Sequence, residues 1–270
     1  MKTLYLLLLL FFGLPHSLYS QVQIISWNLE NFGQSKTEEA ILFMAETIKH
    51  ADIVAIQEVV AGYGGAPAVA KLADALNRTG SKWDYSISNP TSSSAYKTER
   101  YAFFWKTKKV KLIGKAWLES FFEQEIDREP YFATFEQAGK RFTVASFHAI
   151  TKSKQPEKEI KYFKYLPQKY PALHLVLMGD FNCPQSHSVF YPLKKMGFAP
   201  ILVNQKTSLR QSCKAENDCL ASEFDNAFCD MAFFEVKKAA VVDFYTRFEN
   251  LQEARKISDH CPIEFELIIK

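Results

Sequence analysis

Four apolar runs in this 270-residue chain end in side chains that can hold a cation or move a proton, and such side chains lead into a fifth. Trp27 is followed by Asn28, Ile56 by Gln57 and Glu58, Phe147 by His148, and Met178 by Gly179-Asp180-Phe181-Asn182; Ser258-Asp259-His260 stands before the last apolar run. If these ends converge, Glu58, Asp180, Asn182, Asn28 and Asp259 form a cluster of oxygen donors, which suits a hard divalent cation such as Mg²⁺ or Ca²⁺ better than zinc. Two histidines beside it supply proton transfer near neutral pH. A cation that polarises a phosphoryl oxygen, with a general base and a general acid, is what phosphodiester hydrolysis requires, because the attacking water loses a proton and the leaving oxygen needs stabilising. Singly, each piece has a plainer meaning. A carboxylate at a strand end is commonly a turn or cap residue, and a triplet such as Ser-Asp-His arises by chance. The number and order of the pieces carry the signal.

The elements that must position these residues are legible from periodicity. Alternating, β-branched residues 22–27 read as a strand, and Ser35-Lys36-Thr37-Glu38 reads as a capping box opening a helix with Ile41, Met44, Ala45 and Ile48 on one face. Residues 53–56 form a second strand, and helical spacing returns at Val69, Leu72, Ala73 and Leu76. Strand-like runs follow at 101–105, 110–113, 131–135 and 142–147. Pro156 opens a Lys-rich helix running to about Leu166, residues 173–178 make a buried strand, and a short helix from Ser188 ends at Gly197. Runs at 228–234, 241–245 and 262–269 complete the strands. Strands outnumber helices, and helices do not follow every strand, so the expected class is α/β of the α+β type: a four-layer α/β/β/α sandwich of two packed mixed sheets with helices on the outer faces.

Composition is that of a packed globule, with 47% hydrophobic and 23% charged residues and only 10 Gly and 11 Pro, which excludes disordered, collagenous and coiled-coil chains. The formal charge of +3 creates no global basic field, so a polyanion would have to be gripped locally. Residues 1–20 carry Lys2, then an apolar run from Leu4 to Leu14 too short to span a bilayer of about 30 Å. They read as a secretory signal peptide, cut after Ser20 or within a few residues of it, leaving 21–270 as one domain, secreted or periplasmic, monomeric and without stable membrane association. Export permits disulfides among the five cysteines. Cys213 and Cys219 close a short polar loop and form the expected bridge, whereas Cys229 and Cys261 read as small core residues. Asn77-Arg78-Thr79 is a glycosylation sequon.

Taken together, Asn28, Gln57-Glu58, His148, Gly179-Asp180-Phe181-Asn182 and Ser258-Asp259-His260 resemble the signature of the endonuclease/exonuclease/phosphatase superfamily in order and nearly in spacing. Within it the resemblance is greatest to the secreted deoxyribonuclease I group: Trp27 to Gly33 resembles its opening strand and turn, Tyr96 to Tyr101 its "YKER" segment, Arg128-Glu129-Pro130 its "REP", and Phe224-Asp225 its "YD". The resemblance implies the same two-sheet sandwich and a divalent-metal-dependent endonuclease that cuts DNA with little sequence preference, leaving 5′-phosphate and 3′-hydroxyl ends. It implies Mg²⁺, or Ca²⁺ or Mn²⁺, held by Glu58, Asp259 and Asn28. His148 and His260 would flank the scissile phosphate, oriented by Glu99 and Asp225, with Asp180 and Asn182 beside them; a carboxylate on the far ring nitrogen fixes the tautomer and raises basicity. Arg128 is similar to a phosphate-contacting arginine, whose fork suits phosphate, and Tyr96 to a sugar-stacking residue.

This chain departs from the deoxyribonuclease I pattern in three places. Val60 stands where an arginine reads the minor groove, Thr98 is an extra residue inside the "YKER" segment, and the cysteines are placed differently. Lys152 and Lys154 open a run with Lys158, Lys161, Lys164 and Lys169 that offers either a phosphate footprint or a solvated face balanced by Glu157 and Glu159. Two other readings remain: a phosphodiesterase or phosphatase acting on a phospholipid or inositol phosphate, and a catalytically silent relative that only binds a partner. One outcome follows from the leader alone. The intact mass of the protein exported by an expressing cell should correspond to a chain starting at or within a few residues of Gln21; a full-length mass would remove the signal-peptide reading.

Overall fold

The computed structural model describes residues 20–93, 97–215 and 218–270; the expected leader before Ser20 and the expected contact Tyr96 lie outside them. Along these residues run β1 (Ser20–Phe32), α1 (Glu38–Ile48), β2 (Ile53–Val60), α2 (Gly65–Asn77), β3 (Trp83–Ile87), β4 (Glu99–Lys106), β5 (Lys111–Leu118), β6 (Tyr131–Gln137) and β7 (Lys140–His148). Then come α3 (Glu157–Ile160), α4 (Leu166–Lys169), β8 (Leu175–Asp180), α5 (Tyr191–Lys195), β9 (Phe198–Pro200), β10 (Asp225–Asp230), β11 (Phe234–Val241), α6 (Leu251–Arg255) and β12 (Ile263–Ile269). The strands make two six-stranded mixed sheets, ordered β11-β12-β1-β2-β4-β3 and β5-β6-β7-β8-β10-β9.

Strand alternation divides the apolar residues among three cores. Ile25 and Trp27 of β1, with Val54 and Ile56 of β2, pack under α1 and α2, whereas Val22, Ile24, Ile53 and Ala55 face the other sheet across the central core. In the second sheet Val176 and Met178 join that central core, and Leu175 and Leu177 turn outward to the layer holding Ile160, Leu166 and Leu193 of the short helices. The central strands are thus buried on both faces, which is why they read as unbroken apolar runs. The result is the expected four-layer sandwich.

Register decides which residues share an edge. β1 and β2 run parallel, as do β7 and β8, with Asn28 opposite Gln57 and His148 opposite Asp180. The antiparallel pairings set Glu99 opposite Val60 and Asp225 opposite Asp180. Ends of β1, β2, β7 and β8 and starts of β4, β10 and β12 therefore meet on one side of the sandwich. Between the sheets, the buried Gln57 amide donates to Ser26 Oγ of one sheet at 3.1 Å and to Ser146 Oγ of the other at 2.8 Å.

Several expected elements differ. The first helix is capped by Thr37, whose hydroxyl accepts from Ala40 N–H, so it starts at Glu38 rather than at the Ser35 box. The Lys-rich helix breaks into α3, a 3₁₀ turn at Phe163–Tyr165 and α4, because Pro167 cannot continue an i→i−4 ladder begun at Pro156. The run 228–234 is two strands separated by a turn, and 241–245 is the end of β11 leading to a 3₁₀ turn at Phe244–Arg247. The Asn77 amide of the sequon donates to Ala73 and Trp83 carbonyls, closing the α2–β3 loop.

Gly179 shows how tightly the edge is built. Its φ is +137°, and a Cβ there would lie 1.9 Å from the Phe147 carbonyl oxygen. Backbone strain and overpacking each cost about 1–3 kcal/mol, so Gly179→Ala should lower unfolding free energy by roughly 2–5 kcal/mol in urea titration; a loss below about 1 kcal/mol would show that the β7–β8 edge relaxes freely.

Candidate active site

Strained backbone concentrates where the strand ends meet. Among the described residues, Glu30, Asn31, Glu58 and Asn182 have φ of 41°, 54°, 59° and 49°, a conformation uncommon for residues other than glycine. The β1–β2 and β2–β4 pairings shift register between Asn28 and Phe32 and between Ile56 and Val59. Bulges of this kind re-aim a side chain, and here they turn Glu58 out of strand alternation. Its carboxylate accepts from the Asn28 amide at 2.9 Å and from Asn31 N–H at 3.0 Å.

At the centre lies Asp180, 1% exposed. The Asn28 amide donates to its Oδ2 at 3.2 Å, and Asn182 N–H to its Oδ1 at 2.8 Å. Nε2 of His148 and Nε2 of His260 stand 3.5 Å and 3.6 Å from the same Oδ2. Each ring is held from behind: Glu99 lies 2.9 Å from His148 Nδ1, and Asp225 2.7 Å from His260 Nδ1. Thr207 Oγ1 donates to Asp225 at 2.6 Å. Ser258 joins the motif to the first strand, donating to the Asn28 carbonyl while its oxygen accepts from His260 N–H. The Trp27 indole N–H donates to the His260 carbonyl at 2.7 Å.

These contacts set the charges. Burial disfavours a charged imidazole, but for His260 the Asp225 and Asp180 carboxylates outweigh it and hold the ring well above its ordinary pKa; for His148, Glu99 reverses the effect of burial and the net shift is also upward. Burial pushes Asp180 up against the opposing pull of His260. Glu58 moves the other way: its burial is outweighed by His148, the Asn28 amide and Asn31 N–H, so it stays ionised below the usual carboxylate range.

The residues fit a divalent cation. Asp180, Asp225 and His260 offer ligand atoms within 4.8 Å of one another, although Asp225 Oδ2 and His260 Nδ1 already serve each other. Glu58 and Asp259 keep side-chain exposures of 24% and 30% on the same cleft, so the open donors are carboxylate oxygens. Asn28 meets Glu58 and Asp180 through its amide nitrogen, while its oxygen accepts from Glu30 N–H.

A cleft of about 1110 Å³ spans the site and is lined by Glu58, Glu99, Arg128, His148, Asp180, Asn182, Asp259 and His260. Arg128 is used internally: it donates to the His148 and Ala149 carbonyls and to Glu99, bracing the His148 strand end from behind. Lys152 and Lys154 occupy an exposed 3₁₀ turn just beyond cleft-lining Thr151, not among the lining residues. Sequence reasoning missed Glu30, Lys97, Arg210, Lys214 and Arg255, which do line the cleft. Glu30 stood in plain view two residues after Asn28, and Arg255 four residues before Asp259, with which it pairs at 3.4 Å.

Residues 25–260 match the Endonuclease/Exonuclease/phosphatase family. The chain is 26% identical over 282 residues to deoxyribonuclease gamma of Rattus norvegicus, covering 96% of this chain and 88% of that protein. An endonuclease/exonuclease/phosphatase family protein of Bacteroides thetaiotaomicron superposes with a TM-score of 0.68 at 18% identity over 93% and 98% of the two chains. A mannosyl-6-phosphatase of Bacteroides thetaiotaomicron VPI-5482 does so with 0.67 at 20% identity over 92% and 100%. At those identities the structural likeness speaks for the fold.

The raised histidines bear on stability. A group whose folded pKa exceeds its unfolded value of about 6.5 contributes fully below that pH and loses the contribution as pH rises through the folded pKa. In metal-free protein, unfolding free energy should therefore fall as pH rises above about 6.5, and Asp225→Asn should both flatten that fall and lower the His260 titration midpoint followed by NMR. An unchanged His260 midpoint would mean that Asp225 does not hold the ring's charge.

Proposed function

Because the chain belongs to the endonuclease/exonuclease/phosphatase family, we propose that it is a metal-dependent deoxyribonuclease of the deoxyribonuclease I type, exported from the cell and acting as a monomer. It would cut DNA internally with little sequence preference, leaving 5′-phosphate and 3′-hydroxyl ends. The observation that carries the reading is the convergence of two carboxylate-backed imidazoles on one buried oxygen, Asp180 Oδ2. Two proton-transfer groups facing one point are what in-line displacement at phosphorus requires, since one side gains a proton as the other loses it. The similarity to deoxyribonuclease gamma of Rattus norvegicus, a deoxyribonuclease by name, favours DNA over a lipid or sugar phosphate. Among the described residues, no helix is long and apolar enough to cross a membrane.

Glu58 and Asp259, with Glu30 beside them, would hold the cation, which supplies Lewis-acid stabilisation of charge on the phosphoryl oxygens. The protein's own groups do the rest. Asn28 and Asn31 fix the Glu58 carboxylate, and Asn182 fixes Asp180. Glu99 and Asp225 each accept at Nδ1, so each ring presents Nε2 to the cleft. A charged ring donates from that atom to the leaving oxygen, and a neutral ring accepts there from water. Arg128 keeps Glu99 and the His148 backbone in register.

Purified residues 21–270 should nick supercoiled plasmid with Mg²⁺ or Mg²⁺ plus Ca²⁺ and stop on chelation. His260→Ala and His148→Ala should each fold normally and lose roughly 10²- to 10⁴-fold in turnover. Metal-independent nicking, or wild-type rates in both variants, would sink the proposal; a folded protein that nicks nothing would redirect the search to lipid and inositol phosphates.

A further inference from the structure

Lys36 stands behind the carboxylates that would hold the cation, and the chemistry above does not use it. It follows the bend at the end of β1, where its backbone N–H donates to the Gly33 carbonyl at 3.2 Å. Its ammonium donates to the Ile257 carbonyl at 2.8 Å and to the Lys256 carbonyl at 3.2 Å. Carbonyls at the end of a helix, here α6, lack intrahelical partners, and from these two the chain runs directly into Ser258-Asp259-His260. One side chain therefore ties the turn that carries Glu30 and Asn31 to the segment that carries Asp259. Glu30, Glu58 and Asp259 line the main cleft, whereas half-buried Lys36 lines a separate hollow of about 130 Å³ with Gly33, Gln34 and Tyr63.

The ammonium and these carboxylates act on each other's charge. Burial lowers the Lys36 pKa against the upward pull of Glu30, Glu58 and Asp259. Glu30 is held above the usual carboxylate range by burial and by Asp259, against the pull of Lys36 and Arg255. Arg255 in turn pairs with Asp259 at 3.4 Å. Other cations lining the cleft answer to other carboxylates: Lys97 to Asp127, Arg128 to Glu99, and Arg210 and Lys214 to Asp218. Three carboxylates facing two fixed cations leave one net negative charge when all five are ionised. A single divalent cation reverses that sign, so a second would enter a region already positive, where like charges a few ångströms apart repel.

We propose that Lys36 is a built-in counter-charge that, with Arg255, restricts the end of the cleft formed by Glu30, Glu58 and Asp259 to one readily exchanged divalent cation. The inference rests on the metal-dependent reading of the site. Lys36 is then a positioning residue: its bonds to the Lys256 and Ile257 carbonyls fix where the charge stands, and the charge sets how tightly the carboxylates bind. The two roles differ in sign. Loss of a mere tie would loosen Asp259 and weaken cation binding, whereas loss of the counter-charge strengthens it.

The test is calorimetric titration of the metal-free protein with Mn²⁺, comparing wild type with Lys36→Gln, Lys36→Arg and Arg255→Gln; Glu58→Gln marks the heat that belongs to the cleft. Wild type should take up one Glu58-dependent ion. Lys36→Gln should bind it about 10-fold more tightly or take up a second, since a unit charge acting on a divalent ion has been removed, and Lys36→Arg should bind as wild type does. Unchanged or weaker binding by Lys36→Gln, in protein whose circular dichroism is that of wild type, would overturn the proposal, as would two Glu58-dependent ions in wild type. If Lys36→Gln does not fold, Arg255→Gln carries the same expectation and the same ground for rejection. Plasmid nicking with Mg²⁺ separates this from the nuclease reading. Wild-type nicking with Mn²⁺ affinity unmoved in the variants would remove only the counter-charge, and tighter binding by Lys36→Gln of a protein that nicks nothing would remove only the nuclease. Absence of Glu58-dependent binding would end both, because both place the cation there.

Discussion

Everything at the sheet edge answers to one buried carboxylate. Asp180 is 1% exposed, and an isolated carboxylate at such a place would simply take up a proton, because desolvation of the charge is far costlier than that of the acid. The protein surrounds it instead with donors: two imidazole edges, the Asn28 amide and the Asn182 backbone. A partly compensated charge in a dry site interacts strongly with whatever is placed beside it. Removing any one donor therefore alters the balance of the others, which is why residues so far apart in sequence behave as one unit.

The sheets supply these donors by a reciprocal exchange. In one sheet the order β12-β1-β2-β4 has a parallel pair at its centre flanked by antiparallel neighbours, and β6-β7-β8-β10 repeats that arrangement in the other. Glu99, from the first sheet, orients His148 of the second; Asp225, from the second, orients His260, which leads into β12 of the first. Each carboxylate–imidazole pair thus spans the sandwich. Neither sheet can form a complete pair alone, and the inter-sheet distance set by the central core, with Gln57 bonded to serines of both sheets, is part of the chemistry.

How far this was legible follows from which forces act locally. Doubly buried strands announce themselves as apolar runs, so the sandwich and the polar residues at its strand ends could be read from 22–27, 53–56, 142–147 and 173–178. Partnerships could not. Nothing in the neighbourhood of Glu99 points to His148, and that pairing came only through a family resemblance. The dense lysine run from Lys152 is easy to count in a sequence, yet Lys152 and Lys154 stand in an exposed 3₁₀ turn outside the cleft lining. The sparser Arg210 and Lys214 reach the cleft because backbone bonds to Asp259 and Cys261 and a disulfide place them there, and such long-range contacts leave no periodic trace.

The left-handed residues give the same lesson in energetic form. Glu30, Asn31, Glu58 and Asn182 each hold a conformation that costs about 1–3 kcal/mol for a residue with a side chain. No extended strand could deliver their groups to one place, since alternation would send Gln57 and Glu58 to opposite faces. Each bend gives a backbone N–H to a side chain of the site: Asn31 N–H to Glu58, Asn182 N–H to Asp180, Glu30 N–H to the Asn28 oxygen. Where a carboxylate accepts, such bonds are charge-assisted and belong to the strong class. At Glu58, whose carboxyl despite its burial is held below the usual range by His148, the Asn28 amide and Asn31 N–H, the bond from the bent Asn31 both offsets strain and keeps the charge that a cation would meet.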